Sequence, residues 1–74
     1  MSMFGERLDA EIERAREKHP PINSLHEGYA VILEEMEEFW KEVRKQKSDR
    51  DTQLIIKELV QIAAMCRRTA EDCL

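Results

Sequence analysis

Little in this sequence interrupts a helix. Glycine and proline occur only twice each in 74 residues, and both prolines stand together at Pro20 and Pro21. Strand signals are also missing. No stretch alternates apolar with polar residues, and only Gly28 among the glycines lies beyond the first few positions. These absences exclude β and mixed architectures and leave an all-α chain.

Cysteine is equally scarce. Cys66 and Cys73 lie seven residues apart, two helical turns or about 10 Å of rise, which a strain-free disulfide within one helix does not span. Without a CxxC spacing they suit neither zinc nor a thioredoxin-type centre, so both are read as reduced core residues. No apolar run approaches the roughly 18 residues of a membrane span, and the N-terminus lacks the charged and apolar regions of a leader. A cytoplasmic protein without a membrane partner is expected. Basic residues are outnumbered, 12 Lys and Arg against 16 Asp and Glu, for a net charge of −4. That balance argues against nucleic acid, whose phosphates need a basic surface. A single domain this short buries only about 60% of its unfolded surface. With no disulfide to help, oligomerisation is the remaining way to enlarge the core.

What is present reads as three helices separated by two breaks, "KHPPINS" and "QKSDRDT". The first helix, residues 3–18, carries a thin ladder of Phe4, Leu8, Ile12 and Ala15 and is expected to pack peripherally. In the second, residues 24–45, Ser24 and Glu27 fit a capping box. Its main stripe of Leu25, Tyr29, Ile32, Leu33, Met36, Phe39, Trp40 and Val43 is the expected core face. Gly28 in its first turn is read as tolerated, at a cost of up to about 1 kcal/mol against alanine. The third, residues 52–73, begins near Asp51 or Thr52 and shows Ile55, Leu59, Ile62, Ala63, Cys66, Ala70 and Cys73 along one side. A hairpin of the second and third helices forms the body.

The stretch "LEEMEEFWKEV" places five glutamates on the second helix. Glu35 and Glu38, one turn apart, share a flank beside the apolar stripe, while Glu34, Glu37 and Glu42 are expected on a solvated face. On the third helix Glu58 and Gln61 are likewise one turn apart, with Met65 beside them. A further helix over these flanks would bring the polar groups indoors. Two carboxylates about 4 Å apart repel by ~1 kcal/mol in water and ~4 kcal/mol at an effective dielectric near 20. An inward cluster of three therefore calls for protonation or a cation. Oxygen ligands select a hard ion such as Mg2+ or Mn2+, and helical bundles build metal sites from acids at this spacing. Against that stands the plain reading that glutamates are good helix formers on a wet surface.

"EEMEEFWKEV", a short polar turn and then "KELVQIAAM" resemble the MazG-like branch of the all-α nucleoside-triphosphate pyrophosphatases, whose signature is a helical ExxE followed by a helical ExxD. Glu35-x-x-Glu38 matches the first half and Glu58-x-x-Gln61 occupies the second. The resemblance spans the second and third helices, about two-thirds of the chain. It implies a Mg2+-dependent enzyme that hydrolyses a nucleoside triphosphate, NTP or dNTP, to the monophosphate and pyrophosphate. Glu35, Glu38 and Glu58 would be metal ligands and catalytic acids, with Gln61 the fourth metal ligand. It also implies a homodimer or homotetramer in which paired hairpins build a four-helix bundle.

Gln61 departs from that pattern, since an amide oxygen can ligate Mg2+ but brings no charge. Asp72, eleven residues along the helix from Gln61, is roughly 16 Å away and does not replace it. Glu42 or Asp51 of another subunit could. The alternative is a non-catalytic module that keeps the fold for oligomerisation or partner binding, with a degenerate metal site; a third reading is a nucleotide sensor without turnover. Arg67 and Arg68 are read as partners of the helix dipole rather than of phosphate, and His26 as a surface or partly buried residue. Trp40 and Tyr29 are read as core rather than as a base-stacking pair, with Met36 and Met65 as gap fillers.

Overall fold

The computed structural model describes residues 2–74. They form α1 (Ser2–Lys18), α2 (Leu25–Val43), a 3-10 turn (Lys47–Asp49) and α3 (Thr52–Cys73), with no strand among the described residues. None of the helices is long and apolar enough to cross a membrane.

Local chemistry sets the ends. Pro20 and Pro21 stop α1, since proline lacks the donor for another turn and pushes its predecessor away from helical geometry. At the start of α2, Ser24 Oγ accepts the Glu27 N–H at 3.1 Å, and the Glu27 carboxylate reaches back to the Asn23 N–H at 2.6 Å. Asp51 caps α3, its carboxylate accepting the N–H groups of Gln53 and Leu54 at 3.0 and 3.2 Å. These bonds satisfy donors that every helix N-terminus leaves unpaired.

α2 and α3 form an antiparallel hairpin, and α1 lies along α3 in the same direction, pairing Asp9 with Arg67 and Arg16 with Glu71 and Asp72. α3 is thus the central helix, packed against both others. The core consists of Ile12 and Ala15 of α1, Ile22 of the connection, and Val60, Ala64 and Met65 of α3, with Leu8, Val31 and Ile32 packed around it.

This core does not lie where the strongest apolar stripes are. Tyr29 is 68% exposed and Trp40 56%, and Leu25, Leu33, Met36, Leu59 and Cys66 are exposed as well. The stripe of α2 that meets α3 instead runs through Gly28, Val31, Ile32, Glu35 and Glu42. The reading of Tyr29, Trp40, Met36 and Cys66 as core residues is therefore corrected. So is the peripheral role given to α1, whose thin ladder supplies two of the most buried side chains.

Two features fix the hairpin's open end. A Cβ at Gly28 would lie 2.6 Å from Thr69 Oγ1 and still nearer Cγ2, so α2 and α3 approach at a separation that only glycine allows. Gly28 is thus not merely tolerated. The connection after α1 is strapped to α3: Asp72 accepts the Ile22 N–H at 2.9 Å, Arg68 donates to the Pro20 carbonyl at 3.0 Å, and the Cys73 thiol faces the Ile22 carbonyl at 3.6 Å. At the other end Glu42 is buried, accepting the Asp51 N–H at 2.7 Å and pairing with Lys45 at 2.9 Å. Glu42 is therefore a structural cap and not part of a solvated face.

Gly28→Ala gains about 1 kcal/mol of helix propensity but overpacks the Thr69 contact, a cost of about 1–3 kcal/mol. The net expectation is a loss of stability, read as a lower urea midpoint at unchanged m. Hydrogen bonds from the Asp51 and Ile22 backbone amides first, and pairing with Lys45 and Arg16 besides, hold the Glu42 and Asp72 carboxyls below their ordinary range. Groups lowered on folding stabilise fully above the unfolded-state value and lose that contribution as pH falls through the folded one. Thermal stability should therefore drop on acidification through and below the carboxyl range, with a shallower drop in Asp72→Asn. A flat profile would show that these two acids do not couple to folding.

Candidate metal and anion site

α1 covers the flank of α3 that carries Glu58 and Gln61, and the hairpin brings the flank of α2 with Glu35 and Glu38 to the same region. Glu58 is buried at 8% exposure and makes no hydrogen bond or ion pair among the described residues. Glu35 is half-buried. Burial first, and then the charges of Glu58 and Glu38, with smaller contributions from Glu34 and Glu11, push its carboxyl above the ordinary value. The sequence-predicted Glu35 and Glu58 are thus neighbours across the hairpin, close enough for the charge of Glu58 to bear on Glu35.

The remaining predicted residues stand around them. Glu38 is exposed and held by Lys41 at 3.2 Å. Gln61 is half-buried and lines two adjoining clefts, one of about 460 Å³ between α1 and α2 over α3 and one of about 540 Å³ between α1 and α3. Sequence reasoning missed Glu11. This α1 acid lines both clefts with Gln61, and its side chain is only 13% exposed. Its pair with Arg14 holds its carboxyl low, partial burial opposes this, and the Gln61 amide adds a smaller downward pull. The sequence signal was present in the i, i+3 pair Glu11 and Arg14 beside Ile12, but nothing in a one-helix pattern says which neighbour it will meet.

Other expected roles are settled by contacts. Arg67 is tied to Asp9 and Glu71. Arg68 is buried, donating to Pro20 and facing Met65 Sδ at 3.9 Å, while its Nε has no partner among the described residues. It is a strap for the connection rather than an end-of-helix charge in solvent. Asp51 and Glu42, the acids considered as substitutes from another subunit, are both engaged within their own chain. Glu34 is exposed yet lies on the wall of the cleft between α1 and α2, and Glu37 and His26 are exposed.

The donors gathered here are oxygens, which suit a hard divalent cation. As the side chains stand, no three acidic, histidine or cysteine groups among the described residues converge closely enough to hold one. Lys41 and Arg14 draw Glu38 and Glu11 aside, so an ion would have to displace both bases. No family model, curated protein or solved structure matches the chain.

If Glu58 is an unpartnered acid, removing its charge relieves repulsion of about 1 kcal/mol at partly screened distances. Glu58→Gln should then be more stable than wild type in chelator-treated buffer. A clear loss in urea titration would mean that the charged form has a stabilising partner.

Proposed function

We propose that the chain is a minimal Mg2+-dependent nucleoside-triphosphate pyrophosphohydrolase of the MazG-like kind. The observation that carries this reading is the buried, unpaired Glu58 opposite Glu35. Two carboxylates brought together across a hairpin repel, and a divalent cation would compensate both. Glu35, Glu38 and Glu58 would hold the ion by their carboxylate oxygens and Gln61 by its amide oxygen.

A bound Mg2+ supplies two things: neutralisation of triphosphate charge, and a water of lowered pKa. The protein's own part is then positional. The cleft between α1 and α2 accepts the nucleotide, and one carboxylate of the set takes the proton of the attacking water. The bond between the α- and β-phosphates breaks, leaving nucleoside monophosphate and pyrophosphate. Arg7 and Lys57 flank the cleft between α1 and α3 with no ion pair among the described residues, which makes them the cations available to the departing phosphates.

The exposed Tyr29, Leu33, Met36 and Trp40 follow a 4-3-4 spacing along α2, that of a helix-packing seam. We assign the seam to a second copy of the chain, giving a homodimer whose hairpins pair as a four-helix bundle. A cytoplasmic location belongs to the same proposal. The pairing of Glu38 and Glu11 with their own bases favours a second reading, a non-catalytic oligomerisation module, in which the acids simply line the interior.

Pyrophosphate release from a panel of NTPs and dNTPs with Mg2+ or Mn2+ separates the two. The enzyme reading expects release by wild type and a loss of at least about a hundredfold in Glu35→Gln. Release equal in both proteins, or none from folded wild type, rejects it. For the seam, Leu33→Asp should convert a dimer to a monomer in sedimentation, and a wild type that sediments as a monomer at micromolar concentration removes the assignment.

A further inference from the structure

We propose that the cleft between α1 and α2, at its end nearest the connection, binds an oxyanion, the carboxylate or phosphate of a small ligand, received by Arg68 with His19 beside it. The site goes beyond the hydrolase reading and needs neither a metal nor turnover.

Arg68 is a cation in the interior, 5% exposed, and it forms part of the wall of this cleft. It makes no ion pair among the described residues. One terminal nitrogen donates to the Pro20 carbonyl and the other faces Met65 Sδ, while Nε is buried with no partner. A neutral carbonyl does not offset a buried charge, which is costly unless an opposite charge stands near. The acids around Arg68 are committed elsewhere. Asp72, one turn on, feels its charge but gives its carboxylate to the Ile22 N–H and to Arg16. Glu27 is taken by the Asn23 N–H and Glu11 by Arg14. The missing counter-charge therefore comes from outside the chain, and the cleft is its way in.

A guanidinium is a planar fork of donors that matches the paired oxygens of a carboxylate or phosphate. His19, exposed on the same wall, adds a ring N–H. The rest of the cleft limits what the ligand carries beyond its oxyanion. Gln61 stands seven residues before Arg68, about 10 Å along α3, and Glu11 and Glu35 line the cleft with it. A second negative group would run towards those acids. The remainder of the ligand is therefore neutral or positively charged.

NMR titration of the chelator-treated protein in chloride buffer tests this, with inorganic phosphate and acetate as probes. Saturable shifts at the His19, Met65 and Arg68 amides, with a dissociation constant in the millimolar range, are expected. The tighter of the two probes tells a phosphate ligand from a carboxylate one. Arg68→Gln should weaken binding at least about tenfold. Because that change also removes a strap, its helicity is checked, and His19→Ala, which alters only an exposed side chain, should weaken binding by a smaller factor. 4-Aminobutyrate should bind more tightly than succinate. No saturable shift at these amides with either phosphate or acetate overturns the site. Unchanged affinity in folded Arg68→Gln, or in His19→Ala where Arg68→Gln does not fold, overturns it as well. Tighter binding of succinate than of 4-aminobutyrate overturns the ligand class.

Discussion

The docking of α1 on α3 is the contact on which the rest of the molecule depends. Ile12 meets Ala64 and Met65 there, and with the buried Ala15 these side chains are most of the core. Each large apolar side chain fully buried contributes about 2 kcal/mol, so a chain with so few of them has little to spare. The same contact turns a polar flank of α3 into an interior. Glu58 and Gln61 are drawn inward because they share a helix face with Met65, and α1 brings Glu11 with it.

That arrangement gives α2 two unlike faces. One carries Tyr29, Leu33, Met36 and Trp40 into solvent; the other carries Glu35 and Glu42 against α3. These two glutamates have opposite circumstances. Glu42 accepts a backbone N–H and a lysine and is stabilised as an anion, whereas Glu35 has burial and like charges around it. Burial alone does not distinguish a cap from a reactive group; the identity of the neighbours does.

The three-helix arrangement was legible in the sequence because its markers are local: a pair of prolines, Ser24 with Glu27, and Asp51 before Thr52. Which stripe becomes the core was not. The period of α2 identifies Leu25 to Val43 as an apolar face, but periodicity cannot tell a face buried within the chain from one left open. The ladder of α1 looked minor because it is narrow, but the width of a stripe does not tell how deeply a neighbouring helix will cover it. The flank with Glu35, Glu38, Glu58 and Gln61 could be named in advance, since residues one turn apart share a side. Glu11 could not, because its meeting with Gln61 depends on how far α1 slides along α3, a quantity set by packing and not by pattern. The same limit hid Glu42, whose partner is a backbone amide nine residues on.

Gly28 and Thr69 occupy a single small volume from opposite helices. What that spot constrains is the sum of the two side chains, not either one. A methyl group gained on α2 requires at least one given up on α3, and Gly28 has no side chain to give up in return, so the exchange runs in one direction only. Positions forty-one residues apart in the chain therefore behave as one site of fixed size, and neither can change freely while the other stays.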